Sequence, residues 1–200
     1  MPVSAIDHFE SNLDWVRNLL ALARALDAST TDAVDVGDIQ RAAIVMAVSA
    51  LDHYVHEHTR QGMFEVLNGA RPRTQAFGKF TVSMTALIEA RSDPTTDDWL
   101  DDAVKAQHGH KPFMKADDIA DALRLISGAP LWPAVGAALG NDAATAKATL
   151  KIIVDRRNKI AHEADLDPTQ PGVRWPISDG IATDAVDKVE AIVRAIEASV

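Results

Sequence analysis

An arginine, an asparagine and a histidine lie within six residues of one another near the end of a predicted helix. Arg157 and Asn158 are adjacent, and His162 follows Asn158 by four residues. Because helical residues four apart share a face, the amide and the imidazole are expected side by side, next to the guanidinium. Histidine exchanges protons near neutral pH, and the planar guanidinium matches the oxygen atoms of a phosphate. These residue types therefore suit cleavage of a phosphodiester bond.

Cleavage of RNA by its own 2′-hydroxyl needs groups of this kind. The hydroxyl attacks the adjacent phosphate, so catalysis requires a base for the hydroxyl, an acid for the departing 5′-oxygen and positive charge on the phosphorane. The sequence predicts that His162 exchanges the protons, that Arg157 holds the phosphate and that Asn158 orients one of its neighbours. This chemistry requires neither a metal ion nor another cofactor, and we expect none at this motif.

Further basic residues lie on the same predicted helix. Lys151, Arg156 and Lys159 are candidates for contact with the phosphates of RNA, although solvated basic residues on an exposed face would give the same pattern. The whole chain has a net charge of −9, which argues against a broad basic surface for nucleic acid. RNA is therefore expected to meet only a small local patch.

The helix that positions these residues is predicted from about residue 141 to 164. At about 100° per residue, its apolar side chains from Leu150 to Ala164 share an arc of roughly 120°, and Arg157 lies near the middle of that arc. A charge at such a position is costly unless it is compensated. Two explanations of the position of Arg157 stay open. The arginine could form a structural ion pair with a buried carboxylate, or it could have a functional role in a partly wet groove.

The remaining segments of helical periodicity complete an all-α prediction. Two long helices are expected over residues 3–26 and 35–59, and shorter ones over 80–90, after Thr95 or Thr96, over 117–126 and over about 183–199. No strand pattern is convincing. The 200 residues predict one domain, residues 1–200, in which two long helices and several shorter ones form a bundle.

Composition excludes several classes of protein. The chain has no cysteine, so disulfides, zinc–thiolate sites and cysteine nucleophiles are excluded. Its first residues lack the basic start and apolar run of a signal peptide, and its apolar stretches are too short to span a bilayer. We therefore expect a cytoplasmic protein with no membrane partner.

A second polar cluster, residues 52–58, is predicted at the end of the second long helix. Asp52 and His56 are four residues apart, as are His53 and Glu57, and such pairs could bind a divalent metal ion as in a metal-dependent hydrolase. A solvated helix end is the simpler explanation of the cluster, because histidines such as His58 are favourable at the negative end of the helix dipole.

A third interpretation brings the same cluster beside the motif helix. Asp52, His56 and Glu57 would then support the RNA site, and either Asp52 or Glu57 could pair with Arg157. The three interpretations differ in what the side chains contact, so a structure can separate them.

The segment from Val154 to Asp165 resembles the core motif of HEPN domains, in which a histidine follows an arginine by four to six residues and an asparagine usually follows the arginine directly. Its flanks are similar to the RiboL-PSP-HEPN branch of that family. The flanking segments that carry this similarity are Ala50–Glu57, Lys115–Leu123, Asp165–Pro168 and Trp175–Ile177. The resemblance covers about residues 42–177.

The resemblance implies a helical bundle that forms a homodimer, with two motif helices facing each other across a cleft. It also implies a metal-independent endoribonuclease of toxin–antitoxin, abortive-infection or other antiphage systems, for which a cognate antitoxin is a further expected partner. Arg157 and His162 carry over as catalytic residues and Asn158 as their support. Some HEPN domains are instead non-catalytic modules for dimerisation or for binding a nucleotide or a partner, and this alternative stays open.

Overall fold

The described part of the computed structural model, residues 3–30, 34–93 and 95–200, is built from helices. Within these ranges the only β-type pairing is an isolated bridge between Leu166 and Arg174, so the all-α prediction is confirmed. In chain order the helices are α1 (Ala5–Ser29), α2 (Gly37–Leu67), α3 (Gln75–Gly78), α4 (Met84–Ser92), α5 (Asp98–His108), α6 (Ala116–Leu123), α7 (Leu131–Ala138), α8 (Ala143–His162) and α9 (Asp179–Glu197).

Four long helices, rather than two, form the frame of the bundle. They are α1, α2, α8 and α9, which have 25, 31, 20 and 19 residues. Helix α1 runs antiparallel to α2, since the Ala5 amide donates a hydrogen bond to Gln61 near the end of α2. Helix α1 also runs antiparallel to α9, with ion pairs from Arg17 to Asp187 and from Arg24 to Asp179, each 3.0 Å long. Apolar side chains of all four helices share one core.

Helix α2 continues eight residues beyond its predicted end at Thr59. Its last turns bury Met63 and Val66 against the core, and this burial stabilises the helix past the polar run. Residues 52–58 therefore lie within a helix and not at its end, so the helix-dipole explanation of their histidines is wrong.

The motif helix α8 lies close to its predicted position. Asp142 caps it by accepting a hydrogen bond from the Thr145 amide at 2.7 Å, and the helix ends at His162. It stops two residues earlier than predicted because Ala164 and Asp165 have positive φ angles of 52° and 58°, a conformation that cannot continue a right-handed helix. Helix α9 starts earlier than residue 183, because Ser178 caps it.

Three further features were not predicted in their observed form. Helix α7 has no predicted counterpart, α3 lies in an expected loop, and α4 begins at Met84 rather than at residue 80. Helix α7 holds the start of α8 in place, and its Trp132 donates a hydrogen bond to the Ala116 carbonyl at 2.7 Å. None of the described helices combines the length and the apolar composition needed to cross a membrane.

Candidate functional site

The C-terminal turns of α8 form the open end of a helix whose apolar face is otherwise buried. Leu150, Ile153 and Val154 are buried in the core, as the predicted apolar arc requires. One turn later Arg157 is only partly buried, and Ala161 and His162 are exposed. The arc is therefore covered along most of α8 and open where the motif residues lie.

Among the residues that the structure describes, Arg157 meets no carboxylate partner. Its Nη1 donates a hydrogen bond to Oδ1 of Asn158 at 3.1 Å, and its buried Nε has no hydrogen-bond partner. Within the described ranges, no Asp or Glu oxygen lies within 4.0 Å of this guanidinium. The described residues therefore supply no structural ion pair for Arg157.

The neighbouring Arg156 holds that structural role instead. Its Nη2 donates to Oδ2 of Asp165 at 2.8 Å and to the Pro176 carbonyl at 3.0 Å. Asp165 is 1% exposed and also accepts a 2.7 Å hydrogen bond from Nε of Arg41. Nη2 of this guanidinium is thus bound to a buried carboxylate and to a backbone carbonyl, and the contact of Arg156 with RNA phosphate stays a prediction.

This buried group joins three parts of the chain, and we refer to Arg41, Arg156 and Asp165 as the arginine–aspartate cluster. Arg41 adds a hydrogen bond to the Trp175 carbonyl at 3.0 Å. Burial lowers the pKa of the Arg156 guanidinium, and the negative charge of Asp165 opposes that effect. The cluster fixes the loop after α8 against the first turns of α2, and so it fixes the end of the helix that carries His162.

Asn158 and His162 differ in their surroundings. Asn158 is partly buried and lies in the wall of a cavity between α8 and residues 114–118. His162, the last residue of α8, is exposed. The spacing of four residues in a continuous helix keeps both side chains on one face.

The two lysines predicted to contact RNA lie on different sides of α8. Lys151 lines the same cavity as Asn158 and pairs with Asp155. Lys159 lies over the ring of Trp175, with its Nζ 4.9 Å from the ring centre. Lys151 therefore stays close to the motif, whereas Lys159 packs beside the arginine–aspartate cluster.

The supporting candidates on α2 contact other partners than Arg157. Asp52 accepts a hydrogen bond from the Phe113 amide, and Nε2 of His56 is 3.1 Å from the Lys111 carbonyl oxygen. Glu57 pairs with Arg60 at 3.0 Å. Asp52 and His56 thus contact the loop before α6, and Arg60, the partner of Glu57, also pairs with Asp101 of α5. Neither Asp52 nor Glu57 pairs with Arg157 in the described structure.

The three histidines of α2 point to separate neighbours. His53 is exposed and faces His8 of α1, with 6.1 Å between ring centres. His58 is buried and stacks on Tyr54. Burial lowers the pKa of His58, an effect that the nearby Glu197 opposes. Among the residues that the structure describes, no three potential metal-ligating side chains come together.

Sequence reasoning missed the arginine–aspartate cluster as a structural unit. A signal was present, because two consecutive arginines at 156 and 157 precede an aspartate at 165. Consecutive helical residues are turned by about 100°, so the two arginines are expected to meet different neighbours. The identity of the third member, Arg41, had no local signal, since it lies 124 residues from Asp165.

A scan against models of known protein families, a search of curated proteins and a search of solved structures each found no match to this chain.

Proposed function

We propose that this chain is an endoribonuclease of the HEPN type, which cleaves RNA without a metal ion through attack of the 2′-hydroxyl on the adjacent phosphate. The observation that supports this most is the state of Arg157. Its guanidinium lies partly buried at the open end of α8 without a carboxylate partner in the described structure. A partly desolvated cation is stabilised by an anion, and a phosphate of RNA would supply one in a geometry that suits arginine.

The neighbouring side chains suit the other roles. Asn158 accepts a hydrogen bond from Arg157, so it orients the guanidinium before substrate arrives. His162 is exposed on the same helix face as Asn158 and is free to approach a substrate oxygen. One histidine would take the proton of the 2′-hydroxyl, and a second would protonate the 5′-oxygen.

A homodimer would bring two copies of His162 to one site. Large apolar side chains stay exposed on several helices of the single chain, among them Ile152 of α8, which is 71% exposed, and Met46 of α2. A second copy is one way to cover such side chains. By the resemblance, we extend the proposal to toxin or antiphage defence, with an antitoxin as a further partner.

The test is cleavage of a labelled single-stranded RNA in the presence of EDTA. We expect fragments that end in a 2′,3′-cyclic phosphate, and no cut at a position where a deoxynucleotide removes the 2′-hydroxyl. His162→Ala and Arg157→Ala should each lower kcat/KM by about a hundredfold or more. His110→Ala, which removes another exposed histidine, should keep full activity.

Two results would contradict the proposal. One is cleavage that stops in EDTA, and the other is full activity of His162→Ala. If wild-type protein cuts no RNA, and both motif variants lose dimerisation in light scattering, the motif builds an interface and the chain is a non-catalytic dimerisation or binding module.

A further inference from the structure

A cleft of about 520 Å³ opens beside the motif, between α8 and the segment from Met114 to Asp118. We refer to it as the α6–α8 cleft. Leu150 and Val154 of α8, both buried in the core, form part of its apolar surface. Asn158 closes one end. Because Asn158 also contacts Arg157, a molecule in the cleft would lie next to a phosphate held by that arginine.

We propose that the α6–α8 cleft holds one nucleobase of the RNA strand, from a nucleotide that neighbours the phosphate bound by Arg157. This inference rests on the proposed function, since it takes RNA to be the substrate. It adds a binding subsite outside the motif. The volume of the cleft lies within the range of about 300 to 1,000 Å³ that is usual for sites that take small molecules.

The charges around the cleft favour a neutral base over a second phosphate. Lys147 and Asp117 form an ion pair of 2.8 Å that joins α8 to α6, and Lys151 pairs with Asp155 on the same helix. Lys147 and Lys151 are thus balanced by carboxylates, and the third lysine of the lining, Lys115, is matched in number by Asp118. The pairing with Lys147 lowers the pKa of Asp117. A phosphate would have to displace these carboxylates, whereas a flat base needs an apolar surface with polar groups at its edge.

The position of the cleft also suits a polynucleotide. Asn158 connects it to the motif at one end, and Asp118 lines both this cleft and a second cavity of about 460 Å³ near His108. A strand that leaves Arg157 can therefore place its next base in the cleft without passing over the core of the bundle. A single small metabolite in the cleft would not use this connection to Arg157 and to the second cavity.

The experiment fills the cleft from an exposed position of α8. Ala148 lines the cleft and is exposed, so Ala148→Trp should occupy the cleft without disturbing the core. Ala144→Trp is the matched control, because Ala144 is also exposed, lies one turn earlier on α8 and does not line the cleft. Circular dichroism checks that both variants are folded.

The probe is a fluorescent oligoribonucleotide whose riboses are all 2′-O-methylated, so that it binds but cannot be cleaved. In fluorescence anisotropy we expect Ala148→Trp to weaken binding about tenfold or more, and Ala144→Trp to leave binding unchanged. A set of probes is then made, each of which lacks the base at one position. Only the probe that lacks the base held in the cleft should bind wild-type protein more weakly than the complete probe. That difference should vanish in Ala148→Trp.

The outcomes separate this inference from the proposed catalysis. Equal binding of the methylated probe by both variants, or no binding by wild type, overturns the subsite even if RNA is cut. A position-specific abasic effect that Ala148→Trp removes supports the subsite even if the chain never cuts RNA, in which case the proposed nuclease alone fails.

Discussion

Arg156 and Arg157 are adjacent in the sequence but meet opposite environments. Arg156 binds Asp165 and a backbone carbonyl, whereas among the described residues Arg157 donates a hydrogen bond to Asn158 alone, through its Nη1. The angular step of about 100° between consecutive helical residues accounts for this separation. One arginine therefore stabilises the fold while the other keeps its charge available to an anion.

Asp165→Asn tests the structural half of this division. Asparagine has nearly the same size and tolerates the positive φ of 58°, so the variant removes mainly the charge. Arg156 would then lose its carboxylate partner, and the buried Arg41 would keep only its 3.6 Å pair with the exposed Asp38. We expect the free energy of unfolding in urea to fall by about 3 kcal/mol.

Asp155→Asn is the control for that measurement. It removes an aspartate that is paired with Lys151, but both side chains are more than half exposed. Its effect should stay within about 1 kcal/mol. Equal stability of the two variants would show that the buried charge of Asp165 is not required.

At the scale of elements, the turn between α7 and α8 decides where the motif helix begins. Gly136 of α7 lies so close to the start of α8 that a Cβ atom would be 2.6 Å from the backbone carbon of Asp142. The Gly136 carbonyl also accepts a 2.8 Å hydrogen bond from the Asn141 amide. The approach is backbone to backbone, so no side-chain rotation can relieve an added methyl group.

Gly136→Ala should therefore destabilise the protein although alanine favours helix. Helix propensity alone would raise stability by about 1 kcal/mol, but the forced separation of α7 from α8 should lower it by about 2 kcal/mol net. Gly78→Ala is the control, since a Cβ at Gly78 meets no atom within 4 Å. Thermal unfolding of both variants checks this, and a Gly136→Ala protein as stable as the control would contradict it.

At the scale of the whole molecule, the stability of this chain, whose net charge is −9, depends on pH through a buried histidine. His108 ends α5 and lies between the rings of Phe80 and Phe113. Burial lowers the pKa of His108 to about 4, and the positive charges of Lys111, His56 and His110 act in the same direction. The folded protein thus favours the neutral form.

This burial predicts a loss of stability in mild acid. The unfolded chain takes up a proton at His108 near its ordinary pKa of about 6.5, and the folded chain does so only near 4. The stabilisation is complete above pH 6.5 and is lost as the pH falls towards 4. In His108→Gln, the difference between urea midpoints at about pH 7 and about pH 4.5 should be smaller than in wild type.

His8→Gln is the control for the pH measurement, because His8 is an exposed histidine whose charge does not act on His108. It should keep the wild-type difference between the two urea midpoints. An unchanged difference in His108→Gln would mean that other groups, such as the buried His58, dominate the acid sensitivity.

Periodicity was sufficient to predict most of the helices but not all of their ends. The apolar arc of α8 and its cap region were readable because they are local features of the sequence. The end of α2 was not, since no glycine or proline stops the helix at Thr59 and tertiary burial of Met63 and Val66 extends it. Helix α7 was missed because its eight residues are apolar on nearly every side and include Pro133, so they show no helical period.

The candidate site was predictable to a similar degree. The exposed end of α8 follows from helix geometry, and the half-buried position of Arg157 follows from its place in the apolar arc. The partners of Asp52 and Glu57 did not follow, because they depend on Phe113 and Arg60 and on how the loop before α6 returns to α2. The arginine–aspartate cluster depends on contact between distant parts of the chain, which no local pattern encodes.

The contact between Arg41 and Asp165 also has a consequence for the growing polypeptide. These residues are 124 positions apart, and at roughly 5 to 20 residues per second the ribosome needs on the order of ten seconds to add that length. Until Asp165 and Trp175 have been added and leave the exit tunnel, Arg41 and Arg156 lack the partners that join them. A nascent chain therefore cannot complete the arginine–aspartate cluster before residue 175 has emerged, and a nuclease whose motif depends on this cluster would stay inactive until then.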